Sequence, residues 1–224
     1  MIPNQYAYLT GCLILFVIWL FIFLRRKDLQ KEMLWASFLG MPLGIVDYFL
    51  VPNYWYPDSL FGLMKVYGVG VESFFFLFVM SGISAVAYQF LNKKKKVKLA
   101  SSKRRHLGFL FLVIVTYIIS SILSPENSVY YLMLAGAAGA ILTGFYRPDL
   151  RQQILASAFL FSFIYFVVFV VINLVFKGWV QEFYHLKNTW GILVLGVPLE
   201  EIGVAFFAGS FWSTIYEYTK SYRG

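Results

Sequence analysis

Residues 192–212 read ILVLGVPLEEIGVAFFAGSFW. The run is apolar and long enough for a membrane span, because a bilayer's hydrocarbon core takes roughly 20 residues of helix. Yet Glu200 and Glu201 stand inside it. A carboxylate at membrane depth is costly, and such residues normally face a bundle interior, paired or in use. The stretch therefore predicts a membrane helix beside a buried polar site, with the rest of the chain supplying the bundle.

The composition agrees. Of 224 residues, 60% are hydrophobic and 13% charged, too apolar a balance for an ordinary soluble domain. Phe, Tyr and Trp make 21%, and Phe alone contributes 24 residues. The single Cys12 excludes an internal disulfide and has no neighbouring His to suggest a thiol enzyme or zinc. His106 and His185 lack a second histidine at helical spacing, so no metal and no cofactor is expected.

Apolar runs predict helices over residues 6–24, 33–52, 66–91, 107–123, 128–146, 153–176 and 190–216. The fold expected is all-α: a polytopic membrane helix bundle with seven transmembrane helices. In the first run the positive charges follow the apolar residues, the wrong order for a cleavable signal. Of 19 Lys and Arg residues, 16 fall after spans one, three, five and seven; Lys65, Lys177 and Lys187 fall on the other side. The positive-inside bias then gives a multi-pass protein of the cell membrane, N-terminus outside and C-terminus cytoplasmic. The net charge of +8 concentrates in NKKKKVKLASSKRRH, residues 92–106. That run reads as a cytoplasmic loop touching anionic membrane lipids. Without aromatic interleaving or a binding module, it does not predict nucleic-acid binding.

The chain also repeats. YGVGVESFFFLFVMSGISAVAYQF (67–90) aligns without gaps on LGVPLEEIGVAFFAGSFWSTIYEY (195–218), so that Gly68 meets Gly196, Glu72 meets Glu200 and Tyr88 meets Tyr216. Upstream, KDLQKEMLWASFL resembles PDLRQQILASAFL. One membrane domain over 1–224 is therefore expected, with halves 1–91 and 128–219 joined by a span at 107–123. The halves share one topology, so the repeat is parallel.

Four acids fall at lipid depth: Asp47, Glu72, Glu200 and Glu201. At about 1.5 Å per residue, Glu201 is expected near the middle of the last span, and all four acids are expected to line one cavity opening in the outer half of the bundle. Pro198 and the glycines at 191, 196 and 203 predict a kink that aims one carboxylate inward. Desolvation favours the proton-holding form of a carboxyl group, which suits acid catalysis and equally a proton relay or a polar packing network. VPNYWYPDSLFG (51–62) and FKGWVQEFYHLKNTW (176–190) supply aromatics. They suit an interface belt, or a cavity wall that stabilises a carbocation through cation–π attraction. Tyr54, Trp55, Trp179 and Trp190 are the candidates, with Asn173 as a hydrogen-bonding neighbour of a carboxylate.

At these residues the chain resembles the integral-membrane lycopene cyclase domain family, found as paired small subunits or as one fused chain. That family's signature is Pro-x-Glu-Glu followed by an aromatic-rich apolar run, and here it reads PLEE, Pro198–Glu201. The first half keeps only GVES, Gly70–Ser73, with Glu72 matching one glutamate. PLGIVDYFLVPNYWYP (42–57) resembles the family's acidic Trp/Tyr-rich segment, with Asp47 in the acidic position. The resemblance implies a divergent, cofactor-independent cyclase of the isomerase (intramolecular lyase) type, acting in carotenoid or other isoprenoid biosynthesis. Lycopene or another hydrophobic acyclic isoprenoid would enter from the membrane lipid. Glu201 or Glu200 would protonate a terminal alkene, and Glu72 and Asp47 would serve as base or proton-holding partner. A second copy or another carotenoid-pathway protein would be the partner.

Other functions remain open from sequence. A proton-coupled small-molecule transporter would also use buried acids and parallel repeats, and a carotenoid- or lipid-binding membrane protein would use the same cavity without catalysis. A retinal receptor would need a lysine in the last span, which has none, and a prenyltransferase would need clustered aspartates, which are missing.

Overall fold

The computed structural model describes residues 3–92, 97–98, 108–220 and 222–223. Helix α1 (Ala7–Arg25) ends where Arg26 turns its guanidinium onto the Gln89 and Phe90 carbonyls at 2.7 and 2.9 Å. Arg26 also pairs with Asp28 at 2.7 Å. Next comes α2 (Gln30–Gly40), which tightens to a 3₁₀ helix over Met41–Val46 and resumes as the short α3 (Asp47–Leu50). Pro42 removes a backbone donor at that point. Gly44 lets the chain press on its neighbour, since a Cβ there would lie 2.7 Å from the Phe74 backbone.

The helix expected over 66–91 is two pieces, α4 (Leu63–Tyr67) and α5 (Val71–Leu91). Gly68 breaks them by adopting φ +72°, a left-handed conformation that glycine takes without steric cost. Most of the basic stretch 92–106 lies outside the described residues; within it, β1 (Val97–Lys98) pairs antiparallel with a terminal strand at Tyr222–Arg223. Helices α6 (Gly108–Leu123), α7 (Ser128–Tyr146) and α8 (Arg151–Val175) follow closely where apolar periodicity put them. Between α7 and α8, Arg147 pairs with Asp149 at 2.7 Å, repeating the Arg26–Asp28 arrangement between α1 and α2. The loop after α8 then carries the short α9 (Trp179–Phe183).

The largest departure concerns the opening stretch itself. A continuous helix over 190–216 was expected, kinked at Pro198. Instead β2 (Leu193–Val194) and β3 (Val197–Pro198) pair as a hairpin, and α10 (Leu199–Lys220) starts just after Pro198. Leu195 and Gly196 form the two-residue turn with φ of 51° and 79°. Both values are positive, as a type I′ hairpin turn requires. Pro198 thus marks a helix start, where a missing N–H costs nothing. Glu200 and Glu201 occupy the first turn of α10 rather than its middle.

Five helical segments among the described residues are long and apolar enough to cross a membrane: 4–25, 30–50, 71–91, 125–146 and 148–175. The fold is an all-α, multi-span membrane helix bundle. Helices α5 and α10 pack together at its centre, with α1 and α2 against α5 and with α7 and α8 against α10. Helix α6 packs chiefly on α7 and also meets α3. The central helices allow this through small residues: Ser81, Gly82, Ser84, Ala85 and Ala87 of α5 are all buried.

Candidate active site

The helix start after Pro198 decides where the carboxylates point. Neighbouring residues of a helix diverge by about 100°, so Glu200 and Glu201 part company. Glu201 turns into the bundle and accepts three phenol hydrogen bonds: from Tyr54 at 2.8 Å, Tyr184 at 3.2 Å and Tyr165 at 2.5 Å. Glu200 turns toward α7 and the outer loop, accepting the Tyr130 hydroxyl at 3.1 Å and the Trp190 backbone N–H at 2.6 Å. Glu72, the second residue of α5, likewise turns to the loop before its helix, accepting the Leu60 backbone N–H at 2.5 Å. Asp47 begins α3, is buried, and accepts the Tyr8 hydroxyl at 3.2 Å.

A cavity of about 220 Å³ lies between these helices. Asp47 and Glu201 both line it, together with Tyr54, Trp55, Trp179 and Tyr165. Most of the remaining wall is aliphatic or aromatic, from α1, α5, α6, α7, α8 and α10. Glu72 and Glu200 do not line it, nor do Asn173 and Trp190. Asn173 instead accepts the Trp179 indole N–H at 2.6 Å and holds that ring in the wall. Trp190 is 57% exposed and rests near the Tyr130 ring, with centroids 5.5 Å apart. The expectation of four acids around one cavity is thereby revised to two acids in the cavity and two at helix starts beside it.

Main chain crosses the end of the cavity beside Glu201. The loop after α3 and the segment after α9 run antiparallel: Tyr56 donates to the Phe183 carbonyl at 2.7 Å and His185 to the Tyr54 carbonyl at 2.9 Å. Trp55 and Tyr184 form the bridge between them. This ladder seats Tyr54 and Tyr184 over Glu201, and their rings meet edge to face at 5.4 Å. Burial first, and the Glu201 carboxyl next, push both hydroxyls well above the usual phenol value, so they stay protonated donors.

Tyr8, Tyr165 and Tyr184 were not singled out from sequence. Tyr165 carried a signal, as a hydroxyl inside the apolar run FSFIYFVVF, which needs a buried partner. Tyr184 and Tyr8 looked like interface aromatics, and only tertiary contacts give them a carboxylate. Among the described residues, no three His, Cys, Asp or Glu side chains stand together in a way that could hold a metal ion.

The arrangement can hold and move protons in a largely apolar site rimmed with aromatic rings. No curated protein and no solved structure matches the chain. The family model described as lycopene cyclase matches residues 5–91 and 127–219, which carry every residue just named. On that match over most of its length, with the two cavity carboxylates falling one in each matched stretch, the chain belongs to the lycopene cyclase family.

Proposed function

We propose that the chain closes a ring at the end of a lycopene-like or other acyclic isoprenoid by cofactor-independent, proton-initiated cyclisation. The observation that carries this is the pairing of Asp47 and Glu201 on one apolar cavity beneath a closed aromatic cap. In this reading the roles that the family resemblance implied, a glutamate as acid and Asp47 as base or proton-holding partner, are exchanged: Asp47 delivers a proton to the terminal trisubstituted alkene. The tertiary cation that results is attacked by the next double bond, forming a carbon–carbon bond and a six-membered ring. Glu201 faces the ring cation as a carboxylate and takes up the proton that restores a double bond. One proton enters and one leaves, so the reaction is an isomerisation.

The geometry supports this division of labour. Glu201 accepts three phenol hydrogen bonds, an arrangement suited to an oxygen pair that holds negative charge, whereas Asp47 has a single phenol donor, Tyr8 at 3.2 Å, with Ser73 as a further hydrogen-bonding neighbour. The tyrosine and tryptophan faces add cation–π stabilisation. The cap excludes water that would otherwise trap the cation as an alcohol.

The same reading takes the chain as seven spans with the N-terminus outside, built from parallel halves at 1–91 and 128–219 joined by the span at 107–123. The paired positions of Glu72 and Glu200 and of the Arg26–Asp28 and Arg147–Asp149 bridges support the halves. The substrate reaches the cavity from membrane lipid, and a second copy or another pathway protein serves as partner.

The test is expression in membranes that accumulate acyclic polyenes, with deuterated water as solvent. The wild-type chain yields a cyclic end group carrying one deuterium. Asp47→Asn abolishes deuterium uptake, and Glu201→Gln lowers ring formation while leaving deuterium in mis-terminated products. Absence of any cyclic product from folded wild-type protein supplied with both lycopene and other acyclic isoprenoids would falsify the enzyme reading.

A further inference from the structure

Ser73 and Glu201 hold the same position in two helices. Each is the third residue, of α5 and α10 respectively, and the gapless alignment of 67–90 on 195–218 lays one on the other. A polar side chain at that position ordinarily reaches back to the backbone N–H of the residue just before the helix. Ser73 does so: its Oγ accepts the Gly70 N–H at 3.2 Å. Glu201 does not. Its carboxyl oxygens take the Tyr54, Tyr165 and Tyr184 hydroxyls instead.

The difference lies three residues back. Gly70 aligns with Pro198, which stands just before α10 and has no N–H. Pro198 is buried at the end of β3. Any other residue there would bring a buried N–H that needs an acceptor. The hairpin offers none. In a two-residue hairpin the residues flanking the turn exchange hydrogen bonds, here Val194 and Val197. The ladder resumes with the Leu199 N–H donating to the Ile192 carbonyl at 3.0 Å. Leu193 and Pro198 lie between, as a pair whose backbone groups point away from each other. The acceptor that helix geometry would then supply is the Glu201 carboxyl, as Ser73 is the acceptor for Gly70.

We propose that Pro198 is a positioning residue for Glu201: by withholding the backbone donor that the third residue of a helix ordinarily binds, it leaves the carboxyl group free to turn into the cavity and take the three phenols. The half that keeps the donor carries a serine at the third position, and the half that lacks it carries the acid. This deepens the cyclisation reading and rests on it wherever a rate is measured.

The experiment compares two forms of the full chain. Pro198→Ala supplies the N–H. The other form carries lactic acid at position 198, so that an ester oxygen replaces that N–H and the side chain is again a methyl group. Neither has the proline ring. In membranes containing an acyclic polyene, Pro198→Ala forms rings about tenfold more slowly than wild type, the scale of one hydrogen bond diverted from the site. The loss falls on kcat and leaves KM unchanged. The ester form stays within about twofold of wild type, because it has no donor to capture the carboxyl group. Equal losses in both forms would assign the effect to the proline ring and overturn the proposal, as would a Pro198→Ala rate equal to wild type. A second readout needs no catalysis. The amide form unfolds at a higher temperature than the ester form, and the gap narrows when Glu201→Ala removes the acceptor. A gap that is the same with and without Glu201 overturns the proposal. A wild-type chain that forms no ring removes the cyclisation reading, while the gap, measured without substrate, still decides whether Pro198 keeps Glu201 free.

Discussion

Glu72 and Glu200 hold the same post in different helices: each is the second residue of its helix and each accepts a backbone N–H from the loop before it, Leu60 for one and Trp190 for the other. Negative charge at a helix N-terminus is also favoured by the exposed N–H groups there. The pair therefore ties outer loops to the two central helices. Glu72→Ala and Glu200→Ala each leave a loop N–H without its acceptor and should cost about 1–3 kcal/mol of stability. The Gln variants keep an acceptor oxygen and should cost less. Thermal unfolding in detergent micelles measures both, and an Ala variant no less stable than its Gln counterpart would remove the loop-tying role.

The three phenols on Glu201 make a graded series. Tyr54→Phe, Tyr165→Phe and Tyr184→Phe each delete one donor to Glu201, an interaction of about 1.5–3 kcal/mol where, as the proposed cyclisation requires, the acceptor is a carboxylate. Each should slow ring formation roughly tenfold to a hundredfold, with kcat falling more than KM rises. Tyr165→Phe should be the most damaging, since its bond at 2.5 Å is the shortest of the three. Equal, negligible effects in all three variants, with folded protein confirmed, would detach the phenols from the chemistry.

Gly44 positions Asp47 by letting the 3₁₀ segment approach α5. Gly44→Ala puts a methyl group 2.7 Å from the Phe74 backbone, where no flexible side chain can yield. The segment must shift, at about 1–3 kcal/mol for overpacking, and Asp47 moves with it. Both thermal stability and ring formation should fall. A variant that loses stability while ring formation per folded molecule is unchanged would show that Asp47 is positioned by other contacts.

Gly196 makes the hairpin turn that ends just before α10. Gly196→Ala imposes a left-handed conformation on a residue with a Cβ, at about 1–2 kcal/mol, and that Cβ would lie 2.9 Å from the Asn173 amide. Because Asn173 holds the Trp179 ring, the change should also weaken polyene binding. Tryptophan fluorescence of the variant, free and with polyene, checks both effects. An unchanged spectrum and affinity would separate the hairpin from the cavity wall.

Much of this protein was legible in the order of its residues. Long apolar runs bounded by Arg and Lys located α1, α6, α7 and α8 within a few residues, and read α2 with α3 and α4 with α5 as single runs, because lipid leaves a backbone few other ways to satisfy its hydrogen bonds. Carboxyl groups in such runs pointed to a buried polar site for the same reason. The repeat of Glu72 on Glu200 was visible as letters, and it reappears as one geometry at two helix starts.

Other features were settled only by the fold. The stretch 192–198 is apolar enough to read as helix, and periodicity cannot tell a short buried hairpin from the first turns of a span. The signals that decide it, the positive φ of Leu195 and Gly196 and the pairing of Val194 with Val197, arise from backbone geometry and strand contact. That the two glutamates part follows from the 100° step of any helix; that Glu201 is the one turned inward and Glu200 the one turned away was decided by the fold. Tyr54, Tyr165 and Tyr184 lie far apart in sequence and meet only because two outer loops pair over the cavity. Sequence fixed which groups must leave water; tertiary contact decided which of them face one another, because that depends on helix phase and loop pairing rather than on composition.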